Sequence, residues 1–204
     1  MSGAETRDDP AMAGLVALPD VFSYAQAREA GLSQRRIYWL RDHGLIDPLA
    51  RGTYRRVEPS WDADPDLVEI AVRAPEATIC LTSALARHDL TDQIPQAIDI
   101  ALPRGRRRPV TAAPVAWHAF AADTFTIGRE TLPLTDTESI SLYSAERSII
   151  DAFRLRHQEG PELAHQALRR WLRRGDASPA ALVTMAKSFP KALPALRTAL
   201  EVLL

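Results

Sequence analysis

The 204-residue chain is 46% hydrophobic and 25% charged with a formal net charge of −1, a composition that excludes a wholly disordered chain and fits one or two globular domains. Its single cysteine, Cys80, excludes an internal disulfide, and no apolar run approaches the ~18 residues of a membrane span, so a cytoplasmic protein without a membrane partner is expected. The near-zero total hides a local excess. From Ser33 to Arg56 six arginines meet two aspartates, a patch of +4 that suits a nucleic-acid-binding module.

Residues 1–14 are small, polar and mixed in charge and are expected to form a flexible tail, without the charged-then-apolar order of a signal peptide. A compact unit follows over 15–58. In it "SYAQAREAG" is expected as a helix capped by Ser23 and stopped by Gly31. "SQRRIYWLRDHG" forms a second helix, from Ser33 to Gly44. "LIDPLARGTYRRV" reads as two short strands around a turn at Gly52.

"EPSWDADPD" reads as a linker or helix lead-in. Its Asp62, Asp64 and Asp66 have the spacing of a calcium loop, but Leu67 and Arg73 stand where that loop needs glycine and glutamate, so helix capping is the better account. Over 59–204 a mixed domain is expected. "ATICLTS" begins it as a strand or a strand-to-helix entry, and "SALARHDL" is a short helix. "QAIDIALP" and "PVAWHAF" are expected as strands, and "FTIGRETLPLTDTESISLYS" as one or two hairpins. The remainder is helical from "SAERSIIDAFRLRH" onward. The expected class is α+β: a winged helix-turn-helix followed by a mixed α/β domain with a helical C-terminus.

Ala27, Gly31 and Ile37 carry the helix-turn-helix frame. A small residue lets the helices approach, a glycine takes positive φ at the turn, and an apolar residue faces back into the unit. At about 100° per residue, Arg35, Tyr38, Trp39 and Asp42 fall opposite Ile37 and Leu40, with Gln34, Arg36 and Arg41 beside them. Arginine and glutamine contact base edges bidentately, and tyrosine reaches a phosphate or a thymine methyl. The expected DNA contacts are Ser33, Gln34, Arg35, Arg36, Tyr38 and Arg41 on the helix, and Arg51, Thr53 and Arg55 on the wing. The alternative for such a face is plain solvation. Trp39 is left open between DNA and packing on the strands or the second domain.

The stretch "VFSYAQAREAGLSQRRIYWLRDHGLIDPLARGTYRRV" resembles the N-terminal winged helix of the AbiE-type (AbiEi) antitoxins of phage-defence toxin–antitoxin pairs. "LTSALARHDLTDQIPQAIDIALPRGRR" and "YSAERSIIDAFR" continue the resemblance, the latter like that family's S-x-E-R-T-x-x-D segment with Ser148 in place of threonine. The resemblance implies a repressor of its own operon that binds double-stranded operator DNA, often at inverted repeats, with Gln34, Arg35, Arg36 and Tyr38 on the recognition helix and Arg51 and Arg55 on the wing. It implies a type IV antitoxin whose larger domain neutralises a nucleotidyltransferase-like toxin, without need of a stable complex. It also includes orphan regulators that have no toxin.

A second basic patch is expected from Arg104, Arg106, Arg107 and Arg108 in "PRGRRRP" and from Arg169, Arg170, Arg173 and Arg174 in "RRWLRRG". It could serve phosphates or an acidic partner, or simply be solvated. Arg147 and Asp151 are expected to fix a helix against the sheet, and Cys80 to be a core residue. The five histidines show no ligand spacing, so no metal and no cofactor are expected. A nuclease needs an acidic pair with a nearby lysine; no acid lies two residues before Lys187 or Lys191, and there is no glycine-rich phosphate loop, so the chain is not expected to be an enzyme.

Overall fold

The computed structural model describes residues 10–57 and 64–204. The tail up to residue 9, and the part of the expected linker that holds Asp62, lie outside the described residues. The described chain is α+β and divides into two compact units, one of residues up to Pro75 plus Pro133–Ser139, the other of Glu76–Leu132 and Ile140–Leu204. No helix among the described residues is long and apolar enough to cross a membrane.

The first unit opens with helix α1 (Pro10–Val16), so the end of the expected tail is ordered. Composition averaged over residues 1–14 hid the apolar spacing of Met12 and Leu15, which pack into this unit's core. Strand β1 (Val21–Ser23) leads into helix α2 (Tyr24–Glu29) through a full capping box, in which Ser23 Oγ accepts from the Gln26 N–H and the Gln26 side chain accepts from the Ser23 N–H. The turn to helix α3 (Gln34–Asp42) needs a left-handed residue, and Gly31 supplies it at φ +87°. Ser33 then caps α3, its Oγ accepting from the Arg36 N–H at 3.3 Å.

Strands β2 (Ile46–Ala50) and β3 (Thr53–Arg56) form the antiparallel wing, with a register irregularity between Pro48 and Ala50. β1 pairs with the other edge of β3, giving the order β1-β3-β2. Ala27, Ile37 and Leu40 are fully buried together with Phe22, Leu32 and Ile46, so the small residue and the two apolar residues of the helix-turn-helix frame all face one core. Helix α4 (Pro65–Arg73), capped by Asp64, adds Val68 to a second cluster with Val21 and Leu49. Asp64 and Asp66 serve the helix start, where Asp64 accepts from the Asp66 N–H at 3.0 Å.

The second unit is built on a five-stranded mixed sheet. Its strands are β4 (Thr78–Ile79), β5 (Ile98–Pro103), β6 (Val115–Phe120), β7 (Arg129–Pro133) and β8 (Ser139–Tyr143), in the order β6-β5-β4-β8-β7. β4 runs antiparallel to β5 and parallel to β8, and β5 runs parallel to β6. Helix α5 (Leu81–Arg87) follows β4 directly, with Cys80 fully buried at the junction. After β8 the chain is helical: α6 (Ala145–Arg154), α7 (Arg156–Glu159), α8 (Pro161–Leu172), α9 (Pro179–Ala186) and α10 (Leu193–Leu203). Ile149, Ile150 and Phe153 of α6 bury against Leu163, Leu168 and Trp171 of α8, Leu182 of α9 and Leu196 of α10.

Polar groups at the start of α6 lock the helical layer to the chain before it. Arg147 is completely buried. Its Nε donates to Asp151 Oδ2 at 2.9 Å, and its Nη1 donates to the carbonyls of Thr124 and Ile127 at 2.7 and 2.6 Å. The guanidinium lies 4.1 Å from the Tyr143 ring centre and 4.4 Å from that of Phe189. Asp151 also accepts from Arg154 Nε at 3.0 Å.

Candidate nucleic-acid interface

The exposed side of α3 follows from its buried side. Once Ile37 and Leu40 face the core, helical geometry turns Arg35, Tyr38 and Asp42 outward. Ser33, Gln34, Arg35, Tyr38, Trp39 and Asp42 line one open concave surface. Arg35 is exposed and pairs with no described residue. Arg36 is half-buried and is not among the residues lining that surface. Gln34 Nε2 donates to Tyr38 Oη at 3.1 Å, and the Arg41 guanidinium sits 5.0 Å from the Tyr38 ring centre. Arg41 Nη2 also donates to Asp42 Oδ1 at 2.7 Å, and this hydrogen bond holds the guanidinium pKa above its ordinary value.

Trp39 is half-buried. It packs onto the core of its own unit and stacks on His43 with ring centres 4.1 Å apart. The sequence pattern turned Trp39 and Asp42 outward but left Trp39 open and kept Asp42 out of the expected contacts, and both lie on the concave surface. Their positions opposite Ile37 were the available signal.

On the wing, Arg51 stands exposed at the hairpin turn. Thr53 and Arg55 alternate with Tyr54, which stacks on Phe22 at 6.0 Å. Arg55 pairs with Asp47 across the hairpin at 3.4 Å. Arg56 differs from the other arginines of the +4 patch. It is turned inward, pairing with Asp20 at 3.3 Å and donating to the carbonyls of Leu18, at 3.1 Å, and Leu15. It ties the end of the wing to the loop before β1.

The arginines of the second patch are partly engaged. Arg106 pairs with Glu76 at 2.6 Å, while Arg104, Arg107 and Arg108 are exposed. Arg170 forms a two-pronged pair with Asp92 and holds that carboxyl below its ordinary pKa by hydrogen bonding, and Arg174 donates to the His88 carbonyl. Arg169 and Arg173 are exposed. One further cluster has the residue types of a hydrolase. Asp99 accepts from Ser83 Oγ at 3.2 Å and lies 3.0 Å from His118 Nε2, so the carboxylate stands between the other two and Ser83 has no histidine base. Among the described residues no three His, Cys, Asp or Glu side chains gather as metal ligands would.

Residues 17–57 match the family model described as a transcriptional regulator, AbiEi antitoxin. This segment is similar to the AbiEi type. The match covers α2, α3 and both wing strands, and it contains every residue expected on the DNA face. No curated protein matches the sequence. Among solved structures, the crystal structure of the RV2827C protein from Mycobacterium tuberculosis superposes with a TM-score of 0.60 at 18% identity, covering 90% of this chain and 72% of that one. That likeness shows a shared fold beyond the AbiEi-type segment.

Proposed function

We propose that this protein is a cytoplasmic DNA-binding regulator that represses its own operon through the AbiEi-type segment, and that it is the antitoxin of a pair with a nucleotidyltransferase-like toxin. The observation that carries the DNA reading is the outward face of α3. Gln34, Arg35 and Tyr38 share one open surface, a turn glycine and a buried frame position it, and an exposed Arg51 stands on the adjoining wing. Such a face reads base edges through the helix and touches phosphates through the wing. The proposed sites are inverted repeats in duplex DNA, and the proposed chemistry is binding alone, with no catalytic step.

Gel-shift titration against the DNA upstream of its own gene tests the regulator. A shifted band that survives excess random competitor is expected, and loss of the band to competitor overturns it. Growth rescue tests the antitoxin: co-expression relieves the toxicity of the neighbouring gene's product. A second reading is a regulator without a toxin: the family match spans residues 17–57, the helix-turn-helix and wing, and so supports DNA binding in particular. Operator binding without rescue selects that reading.

A further inference from the structure

α3 has one acidic residue, Asp42, and it lies on the concave surface it shares with Arg35, Tyr38 and Trp39. Its side chain is 60% exposed. A carboxylate on a face that meets DNA is repelled by phosphates whatever the sequence, so its presence there is unfavourable to indiscriminate binding. An exposed ion pair between sequence neighbours adds little to folding, so stability does not account for Asp42 either.

The contacts around it show a carboxylate held in one orientation. Arg41 donates from Nε at 3.0 Å and from Nη2 at 2.7 Å, both to Oδ1. Arg41 is itself placed over the Tyr38 ring, and the Tyr38 hydroxyl accepts from Gln34. A run of contacts thus extends along the exposed face from the first turn of α3 to its last. Oδ2 receives no hydrogen bond from a described residue and remains an acceptor on that face. In the major groove, cytosine presents an amino donor at N4, whereas guanine presents acceptors at N7 and O6 and thymine an acceptor at O4 with a methyl group. Adenine sets the acceptor N7 beside its amino group. A lone carboxylate oxygen fits the cytosine edge and is repelled by the others.

We propose that Asp42 is a specificity-determining residue that accepts a hydrogen bond from the N4 amino group of a cytosine in the operator, with Arg41 as the positioning residue that aims its carboxylate. This rests on the DNA-reading function proposed above.

The test is selection of preferred sites by the full chain from a random duplex library. Fluorescence-anisotropy titrations of wild type, Asp42→Asn and Arg41→Ala then follow, on the selected duplex and on duplexes with each position changed. Wild type is expected to select a position at which cytosine is required, with replacement weakening binding on the order of tenfold. Asp42→Asn should lose the preference at that position alone, and should bind a random duplex several-fold tighter because one negative charge is gone. Arg41→Ala should weaken binding to all duplexes and also blunt the cytosine preference, since the carboxylate is no longer aimed; a preference kept in full by Arg41→Ala overturns the positioning role of Arg41. If wild type selects a site and Asp42→Asn keeps every preference of wild type, the role of Asp42 is overturned and DNA reading stands. If wild type selects no site, DNA reading fails and Asp42's role fails with it. Circular dichroism melts of the variants confirm that each is folded.

Discussion

Arg147 Nε donates to Asp151 Oδ2 at 2.9 Å with neither side chain exposed to solvent. Burial of Asp151 raises its pKa while Arg147 and Arg154 lower it, so the carboxylate depends on its cationic neighbours to stay charged. Removing one partner leaves a charge in a dry site. Arg147→Ala and Asp151→Ala are each expected to destabilise the second unit by about 3–5 kcal/mol. The double variant should lose less than the sum of the two, because neither charge is then left alone. Urea denaturation of the four proteins measures the cycle, and additive losses would show that the pair does not act as a unit.

Gly128 stands against the same arginine. Its φ is +70°, and a Cβ built there would lie 2.7 Å from Arg147 Cβ. Left-handed backbone alone costs a non-glycine residue about 1–2 kcal/mol, and here the obstacle is a buried side chain with no freedom to move aside. Gly128→Ala is therefore expected to lower stability by more than the backbone term. A melting temperature equal to wild type would sink this account.

Much of the first unit was legible from local signals. Ser23, Gly31 and Ser33 each mark a helix end by their own chemistry, and Ala27, Ile37 and Leu40 declare one buried face by spacing. β1 was not legible, because three residues are too few to show alternation and its pairing partner Thr53–Arg55 is 30 to 34 residues distant. The inward turn of Arg56 was hidden for a related reason. Its partners, Asp20 and the carbonyls of Leu15 and Leu18, come from a distant segment, and composition counts it with the exposed arginines. In the second unit the hydrophobic pattern located the strands, but the sheet order β6-β5-β4-β8-β7 is set by long-range pairing that no local signal encodes. On the candidate interface, the pattern showed which side of α3 faces out. It did not show that Arg41 pairs with Asp42 or that Gln34 bonds Tyr38, since those depend on side-chain rotamers.

Tyr143 gives the fold an alkaline limit. Its hydroxyl donates to the Phe125 carbonyl at 2.8 Å in a buried site, and burial pushes the phenol pKa well above its ordinary value. The folded state therefore keeps a proton that the unfolded chain releases near pH ~10. Stability is fully present below that pH and falls as pH rises through it, because the unfolded state alone gains from ionisation. Tyr143→Phe is expected to lose about 1 kcal/mol at neutral pH through the missing hydrogen bond and to show a shallower decline above pH ~10. Denaturation midpoints measured across pH 8–11 check both signs, and an unchanged alkaline slope would remove Tyr143 as the cause.

The helix and the wing should fail differently when disturbed. Arg35 is exposed on the concave face of α3, where under the proposed DNA reading its guanidinium would reach base edges, and Arg51 is exposed at the hairpin turn, where it would meet backbone phosphate. Arg35→Ala is expected to weaken binding to the operator by about 1–3 kcal/mol and to weaken random duplex binding by a smaller factor, through the lost charge alone. Arg51→Ala should weaken both alike and reduce the slope of log K against log salt by about 1. Titrations at four or more salt concentrations separate the two. If Arg35→Ala weakens operator and random duplex equally, then Arg35 holds a phosphate, and base reading on α3 must come from Gln34, Tyr38 and Asp42 without it.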